Sequence, residues 1–329
     1  IATFGVFQKE IEKDDAFEKA FIKSLYEQYQ YLQRNLEKDV LGNHYLENLK
    51  ALIALSLFFG EEERLNKAAV ALSKELKIQI LEDGMHFERS PMYHKIVLED
   101  LVKVCVWLKG HPLEKQFLHH VQAMLDVLYS FEEGFGKTPA FNDSTDGISK
   151  SYECLLHTCK ELFQQSPSFR SSFPYSGYEI IRKKEFTLVF DCGEISPRYL
   201  PGHGHCDALS YELSMEGKPV LVNSGTYQYE KGPWRDYFRS TSAHNTVMIG
   251  EREQSQFWAQ FRIARRIHHV KRDFYHHDGI DFIRGSYKTY FNATHTRYIG
   301  EVEKGVLLVL DQVQSFEHEK VQSFIHIHP

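Results

Sequence analysis

Hydrophobic residues recur at helical spacing through the first half of the chain. One run follows steps of three and four residues: Leu46, Leu49, Ile53 and Leu57. Residues 96–108 repeat this spacing, which places apolar side chains on one face of a helix. Short polar breaks containing glycine or proline separate such runs. The pattern predicts several helices of moderate length over residues 11–163, stacked as helical hairpins.

The pattern changes to a period of two after residues 164–177, which are rich in serine, proline and phenylalanine. Short β-branched or aromatic runs between turn residues then predict strands. These runs are residues 178–181, 186–190, 209–215, 219–222, 245–249, 305–313 and 321–328. An antiparallel sandwich is the simplest arrangement of them. We therefore expect an α+β multidomain chain, with a helical domain over residues 1–170 and a β-sandwich domain over residues 171–329.

Composition narrows the classes of partner. The 39 basic and 45 acidic residues give a net charge of −6, which provides no general attraction for nucleic acid. Apolar stretches reach about ten residues, roughly half of what a membrane-spanning helix needs. The first seven residues lack a basic leader and a cleavage site, which leaves the cellular compartment open. Five cysteines without a CxxC pair argue against a disulfide framework.

Histidine is the compositional outlier, with 18 residues, and the strongest local signal is GHGHCD at residues 202–207. If this segment is extended, His203 and His205 point to the same face. Two imidazoles on one face fit either a metal site or a metal ligand beside a proton-transfer group. A histidine-rich turn held by stacking is the alternative.

Two other polar segments of the second half carry candidate chemistry. Residues 235–246 are rich in hydrogen-bond donors and run into a predicted strand, which suits a substrate-lining loop with His244 at its end. Residues 223–227 form a predicted strand end and turn. We expect these segments and residues 202–207 to converge on one site of the sheet domain.

In the helical half, a predicted helix opens at residues 42–47. His44 and Glu47 are three residues apart and therefore share a face of this helix. Asn43 is either a functional residue or simply the N-terminal cap.

A second predicted helix starts at Ser90 and Pro91, with serine as the cap and proline at the first helical position. Tyr93 and His94 then fall in the first turn. The positive end of the helix dipole would slightly favour a phenolate there.

Taken together, these motifs resemble the heparinase II/III family of polysaccharide lyases, whose members join an α-helical toroid to an antiparallel β-sandwich. The resemblance extends from about Asn43 to the end of the chain. Its densest matches are Asn43-His44 and residues 83–93, 141–144, 202–205, 222–227 and 243–246. It implies an incomplete (α/α) toroid over residues 1–170, N-terminally truncated, followed by a β-sandwich over residues 171–329 that is truncated at its C-terminal end.

The resemblance also implies a reaction. Such lyases cleave beside a uronic acid by β-elimination, removing the C5 proton and expelling the O4 oxygen. Asn43 and His44 would neutralise the uronate carboxylate. Tyr93 would protonate the departing oxygen, and in some relatives the same phenol also serves as the base, while His203 would take part in proton transfer. Neighbouring cations or the helix N-terminus would lower the pKa of Tyr93. Residues matched to substrate binding are Glu47, Arg89, Asn142, Tyr227 and Arg239.

A metal, commonly zinc, accompanies the family's sheet domain. The matched ligands are His205, Asn223 and His244, where Asn223 stands in place of the family's aspartate. An amide oxygen is a poorer zinc ligand than a carboxylate, so Asn223 would alternatively hold the two histidines by hydrogen bonds. Such a metal would shape the site rather than activate water. No organic cofactor is expected.

The sequence therefore predicts a lyase acting on an acidic, uronate-containing polysaccharide. Nucleic acid is not expected as a partner, and no membrane-spanning segment is expected. Two alternatives stay open: a non-catalytic acidic-glycan-binding protein on the same fold, and a metal-dependent glycan hydrolase. Basic residues over 262–272 either steer a polyanion or form a solvated strand face. Family resemblance suggests a periplasmic or secreted bacterial protein, and the oligomeric state stays open.

Overall fold

A computed structural model describes residues 2–329, with side chains from Gly5 onward. Ile1, where the predicted helical domain begins, lies outside the described residues. The chain divides into two compact units. Unit 1 comprises the residues up to Gln79 together with Glu99–Val121, and unit 2 comprises Ile80–Leu98 and Gln122–Pro329. The predicted boundary at residue 170 stays a prediction.

Residues 2–329 contain eight α-helices. They are α1 (Ala2–Ile11), α2 (Asp15–Arg34), α3 (Gly42–Phe59), α4 (Glu62–Gln79), α5 (Pro91–Trp107), α6 (Leu118–Glu132), α7 (Tyr152–Phe163) and α8 (Pro233–Arg239). Two short 3₁₀ turns cover Glu114–Gln116 and Thr241–Ala243. None of these helices combines the length and apolar character needed to cross a membrane.

Local signals explain where the helices of unit 1 begin and end. Asp14 caps α2, because its carboxylate accepts hydrogen bonds from the N–H groups of Ala16 and Phe17. Gly60 ends α3 in the left-handed conformation, which glycine adopts without strain. The cap position of α3 is Leu41, without a side-chain cap, so the reading of Asn43 as the N-cap is wrong.

The strands follow in the second half of the chain. They are β1 (Ser172–Phe173), β2 (Tyr178–Arg182), β3 (Phe186–Asp191), β4 (Tyr211–Met215), β5 (Lys218–Leu221), β6 (Val247–Ile249), β7 (Phe257–Ala259), β8 (Arg262–Ile263), β9 (His268–His277), β10 (Ile280–Lys288), β11 (Thr294–Glu303), β12 (Val306–Gln314) and β13 (Val321–Ser323). The predicted strands correspond to β2 to β6, β12 and β13, although β13 ends five residues before the predicted run does. The short strands β1, β7 and β8 and the long strands β9, β10 and β11 were not predicted.

Two antiparallel sheets form the core of unit 2. One has the order β1-β2-β3-β4-β5 and the other the order β12-β11-β10-β9, with β13-β6 and β7-β8 as small additional pairs. Apolar side chains from both sheets share one buried cluster, including Phe190 of β3, Ile283 of β10 and Ile299 of β11. A helical N-terminal region followed by packed antiparallel sheets confirms the predicted fold class.

A second apolar cluster of unit 2 joins the end of α6 to β2. The ring of Phe131 lies edge-on to the rings of Phe173 and Tyr178, at 5.5 and 5.1 Å between centroids. The segment before α5 is fixed beside this cluster, since Asp83 Oδ2 accepts from the N–H groups of Tyr175 and Ser176 at 2.8 and 2.7 Å. This packing holds the start of α5 near the five-stranded sheet.

Candidate functional site

Asp143 lies at the centre of a buried cluster of charged side chains in unit 2. Its Oδ2 is 2.9 Å from Nδ1 of His203, and its Oδ1 is 2.8 Å from Nε2 of His205. Both carboxylate oxygens also accept from the guanidinium of Arg235. Burial alone would raise the pKa of Asp143, but hydrogen bonds from these three partners hold it well below its usual range. Asp143 is therefore a charged carboxylate that fixes two histidines.

The segment that carries Asp143 also fixes the start of α5. Ser90 Oγ donates to the carbonyl of Asp143 at 2.6 Å and accepts from the N–H of Tyr93 at 3.3 Å. The N–H of Met92 donates to Ser144 Oγ at 3.1 Å. Ser90 thus caps α5 as the sequence predicts, and the cap ties Tyr93 to Asp143.

Tyr93 contacts both a second tyrosine and a histidine. Its hydroxyl lies 3.1 Å from the hydroxyl of Tyr229, and its ring centroid lies 4.0 Å from that of His203. The pKa of Tyr93 is raised, first by burial and then by Tyr229 and the charge of Asp143. Burial likewise raises the pKa of Tyr229 to about 12. The expected lowering of the Tyr93 pKa is therefore wrong, and both phenols keep their protons at neutral pH.

His203 presents one ring nitrogen for chemistry. A carboxylate can only accept, so Nδ1 carries the proton shared with Asp143, and the neutral ring has its lone pair on Nε2. Nε2 lies 3.8 Å from Oε2 of the buried Glu88, beyond hydrogen-bond distance. Nε2 is therefore the ring nitrogen that offers a lone pair to a substrate.

The GHGHCD segment at residues 202–207 forms a turn, so the extended conformation considered for it is absent. His203 and His205 nevertheless meet, because each binds a different oxygen of Asp143. Close packing explains the glycine at position 204, because a Cβ there would lie 2.3 Å from Cγ2 of Ile195. The glycine spacing therefore serves close packing as well as the site.

A second buried group comprises His205, Asp207 and His244. One possible ligand atom from each lies within 4.8 Å of the others. Nδ1 of His205, Oδ1 of Asp207 and Nε2 of His244 have no hydrogen-bond partner. Unpaired buried polar atoms are costly, and a shared cation would satisfy all three at once.

The hydrogen bonds of His205 and His244 leave one ring nitrogen of each histidine available as a metal ligand. His205 donates from Nε2 to Asp143, so its lone pair is on Nδ1, and His244 donates from Nδ1 to Oδ1 of Asn223, so its lone pair is on Nε2. Burial lowers the pKa of both rings, which keeps them neutral. Two imidazole nitrogens and the carboxylate of Asp207 fit zinc, with Asp143 and Asn223 as outer acceptors.

Asn142 and Arg89, both predicted to bind substrate, lie beside this cluster. Asn142 is buried, its Oδ1 accepting from the N–H of His205 at 3.0 Å and its Nδ2 donating to the carbonyl of Arg89 at 3.1 Å. Arg89 is half-buried and donates from Nη2 to the carbonyl of Tyr175 at 3.3 Å. The structure thus gives Asn142 a positioning role, and substrate contact by either residue stays a prediction.

The segment at residues 235–246 begins in α8 and is not the loop expected. Arg239 at the end of α8 is buried, and its guanidinium donates to the carbonyls of Gly204, Ala259 and Gln260. These bonds hold the GHGHCD turn in place. Tyr227, in contrast, is 67% exposed. Substrate contact by Arg239 and Tyr227 stays a prediction.

Asn43, His44 and Glu47 belong to unit 1, at the start of α3. His44 Nδ1 lies 3.5 Å from Oε1 of Glu37, and Oε2 of Glu47 lies 2.5 Å from Nζ of Lys50. Both ion pairs lie within unit 1, and the predicted roles of these three residues toward a substrate stay predictions.

Five residues that build the site are not among the candidates predicted from the sequence: Glu88, Asp143, Asp207, Tyr229 and Arg235. Each lies inside or next to one of the motifs described above. Their roles depend on long-range contacts that local sequence does not encode. Asp143, for example, is 60 positions from His203 and 92 positions from Arg235 in the sequence.

Comparison with known proteins identifies the family. Residues 1–170 match the model of the heparinase II/III N-terminus, and residues 166–329 match that of the heparinase II/III-like C-terminal domain. The chain belongs to the heparinase II/III family. In this chain, Asp143, His203 and Tyr93 lie in contact at the centre of the candidate site in unit 2.

Named relatives agree with this membership. The chain is 24% identical over 344 residues to a heparin-sulfate lyase of Pedobacter heparinus, covering 94% of this chain and 50% of the relative. It is 20% identical over 303 residues to a heparin-sulfate lyase of Bacteroides stercoris, covering 83% of this chain and 44% of the relative. The chain thus spans about half the length of the curated relatives it matches.

Solved structures of heparinases share the fold of this chain. A heparinase III superimposes with a TM-score of 0.75 at 19% identity, covering 93% of this chain and 50% of that one. A heparan sulfate lyase mutant from Pedobacter heparinus gives a TM-score of 0.71 at 21% identity, covering 91% and 49%. At these identities the likeness establishes the heparinase II/III fold.

Proposed function

We propose that this heparinase II/III chain carries the acid–base centre of a polysaccharide lyase that cleaves a uronate-containing glycan by β-elimination. The observation that carries the proposal is the half-buried contact of the Tyr93 ring with the ring of His203, whose Nδ1 is held by Asp143. A protonated phenol beside an oriented imidazole provides one proton donor and one proton acceptor. The names of the heparin-sulfate lyase relatives support the same reaction class.

The proposed reaction begins with removal of the C5 proton of the uronate by Nε2 of His203. Electrons of the C5–H bond form the C4=C5 double bond as the C4–O4 bond breaks. Tyr93 gives its phenolic proton to the departing O4 oxygen, since its raised pKa keeps that proton available. The proton on His203 then returns to the Tyr93 phenolate, which leaves both groups ready for the next cycle.

Neutralisation of the substrate carboxylate is the remaining requirement, because a charged carboxylate makes the C5 proton poorly acidic. We assign this role to Asn43 and His44, on the resemblance of their motif to the family. An amide donor and an imidazole at the start of α3 supply the hydrogen bonds that such a role needs.

We also propose that His205, Asp207 and His244 hold a zinc ion. Such an ion would be structural rather than catalytic, because all three side chains are buried and a catalytic zinc needs an open position for water. The unpaired atoms of the three residues support this assignment. The same burial argues against the metal-dependent hydrolase.

One assay separates the alternatives. The chain is incubated with heparan sulfate, heparin and alginate, and the ultraviolet absorbance of the new C4=C5 bond is followed. We expect absorbance to rise with at least one polymer. Binding without any rise would indicate a non-catalytic glycan-binding protein, whereas new reducing ends without absorbance would indicate a hydrolase.

A further inference from the structure

An exposed aromatic cluster lies on and beside α8. The ring centroid of Tyr227 is 6.0 Å from that of Trp234 and 5.8 Å from that of Phe238, with the Tyr227 and Phe238 rings 24° from parallel. Tyr237 lies 5.6 Å from Phe238. Tyr227 is 67% exposed and Trp234 56% exposed. Exposed apolar patches of a few hundred Å² are often binding surfaces.

The two faces of α8 have different roles. Arg235 and Arg239, four residues apart, are buried and bind Asp143 and the carbonyl of Gly204. Trp234 and Phe238, also four residues apart, carry the aromatic cluster on the neighbouring face, about 100° around the helix. The inner arginines thereby fix the rings on a rigid element, so a ligand would meet a preorganised surface.

Two short connections along the chain place the aromatic cluster near the acid–base centre. Tyr227 is two residues from Tyr229, so their Cα atoms are at most about 7.6 Å apart, and Tyr229 contacts Tyr93 at 3.1 Å. Arg235 Nη1 also donates to Thr226 Oγ1 at 3.1 Å, which ties this turn to α8. A glycan seated at Tyr93 would therefore have neighbouring sugar rings within reach of Tyr227 and Trp234.

The size of the surface favours a sugar over a protein. The three most exposed rings offer on the order of 300 Å², whereas a stable protein interface needs about 800 Å² from each partner. Pyranose rings carry apolar C–H faces that stack on aromatic faces, and their charged substituents project from the edge. A stack of this type holds an acidic sugar without requiring a cation at each ring.

We infer that Tyr227, Trp234 and Phe238 form a stacking subsite for a pyranose residue of the acidic glycan, beyond the two residues that flank the cleaved bond. This inference rests on the proposed lyase function. The subsite binds the chain of the substrate and takes no part in proton transfer, so its effect grows with the length of the oligosaccharide.

The test measures binding by calorimetry in a Tyr93→Phe background, in which we expect turnover to be slow enough for binding to be measured. Size-defined disaccharides and tetrasaccharides of heparan sulfate and of alginate serve as probes. We expect Trp234→Ala to weaken tetrasaccharide binding about two- to tenfold and to leave disaccharide binding unchanged. Trp234→Phe should retain most of the affinity. Trp258→Ala is the matched control, since Trp258 on β7 is 69% exposed and makes no contribution to the subsite.

Each other outcome decides against the subsite. Equal tetrasaccharide affinity with and without Trp234, equal losses for both lengths, or no oligosaccharide binding at all would overturn it. The absorbance assay on polymers judges the lyase reaction separately. Length-dependent binding through Trp234 without unsaturated product would retain the subsite and remove the lyase, and cleavage with binding independent of Trp234 would do the reverse.

Discussion

Oδ2 of Asp143 lies 2.9 Å from Nδ1 of His203, which fixes the tautomer and the orientation of the proposed base. The other carboxylate oxygen orients His205 in the proposed metal site. The side chain of Asp143 therefore contacts both the proposed acid–base centre and the proposed metal site, and replacing it should disturb both.

Replacing Asp143 with asparagine should destabilise unit 2. The change leaves the buried Arg235 cation without its counter-charge, and breaking a buried pair costs about 3–5 kcal/mol. Urea unfolding measures the loss. Asp281→Asn is the control, because the side chain of Asp281 is 92% exposed and its replacement should change stability by less than about 0.5 kcal/mol. A loss below about 1 kcal/mol for Asp143→Asn would contradict the central role of this carboxylate.

Tyr93→Phe should lower kcat about 10²- to 10⁴-fold, because the leaving oxygen loses its proton donor. Calorimetry should show oligosaccharide affinity close to that of the unmodified chain. Tyr152→Phe removes a comparable phenolic hydrogen bond, to Glu133 on the surface, and should leave kcat unchanged. Full activity in Tyr93→Phe would sink the assignment of Tyr93 as the acid.

Zinc should bind with a stoichiometry near one and raise the thermal unfolding midpoint, and chelation should reverse the rise. Asp207→Asn should weaken zinc binding, measured by calorimetry and by metal content after dialysis. Asn223→Ala should have a smaller effect, about 10- to 100-fold, typical of an outer hydrogen-bond partner.

His277→Ala controls for adventitious surface binding of zinc, since the His277 side chain is 63% exposed. Zinc binding unaffected by Asp207→Asn but abolished by Asn223→Ala would make the amide oxygen the ligand instead.

Stability should fall in mild acid through His94. Burial lowers its pKa to about 4, whereas the unfolded residue titrates near 6.5. Between these values the unfolded chain binds a proton that the folded chain does not. Stability is therefore full above about pH 6.5 and declines as pH falls to about 4. From about pH 7 to about pH 5 the contribution of His94 is about 2 kcal/mol.

Both ring nitrogens of the buried His94 are hydrogen-bonded in the folded chain. His94 Nδ1 accepts from the N–H of His86 at 3.2 Å while Nε2 donates to the carbonyl of Met124 at 2.9 Å. Protonation at Nδ1 breaks the first bond. Urea unfolding at several pH values should therefore give a flatter profile for His94→Gln, whereas the exposed His276→Gln should match the unmodified chain. Identical profiles for all three proteins would refute the role of His94.

Hydrophobic periodicity alone determined the division into helices and antiparallel strands. The start of α5 could also be predicted from local sequence, because Ser90 and Pro91 form a helix-cap signal. Tyr93 follows within the same four residues. In contrast, α8 and the strands β9 to β11 were not predicted from local pattern. The strand β9 is largely exposed, with polar residues on both faces, so its hydrophobic alternation is weak.

The sequence by itself determined which segments carry chemistry: residues 83–94, 202–207 and 235–246 all contribute to the site. The tertiary structure decided which side chains within them act together. Asp143, Asp207 and Tyr229 gained their roles from contacts and buried surroundings that no local pattern encodes. Burial also set the protonation of Tyr93 opposite to the local expectation, since desolvation outweighs the short-range helix dipole.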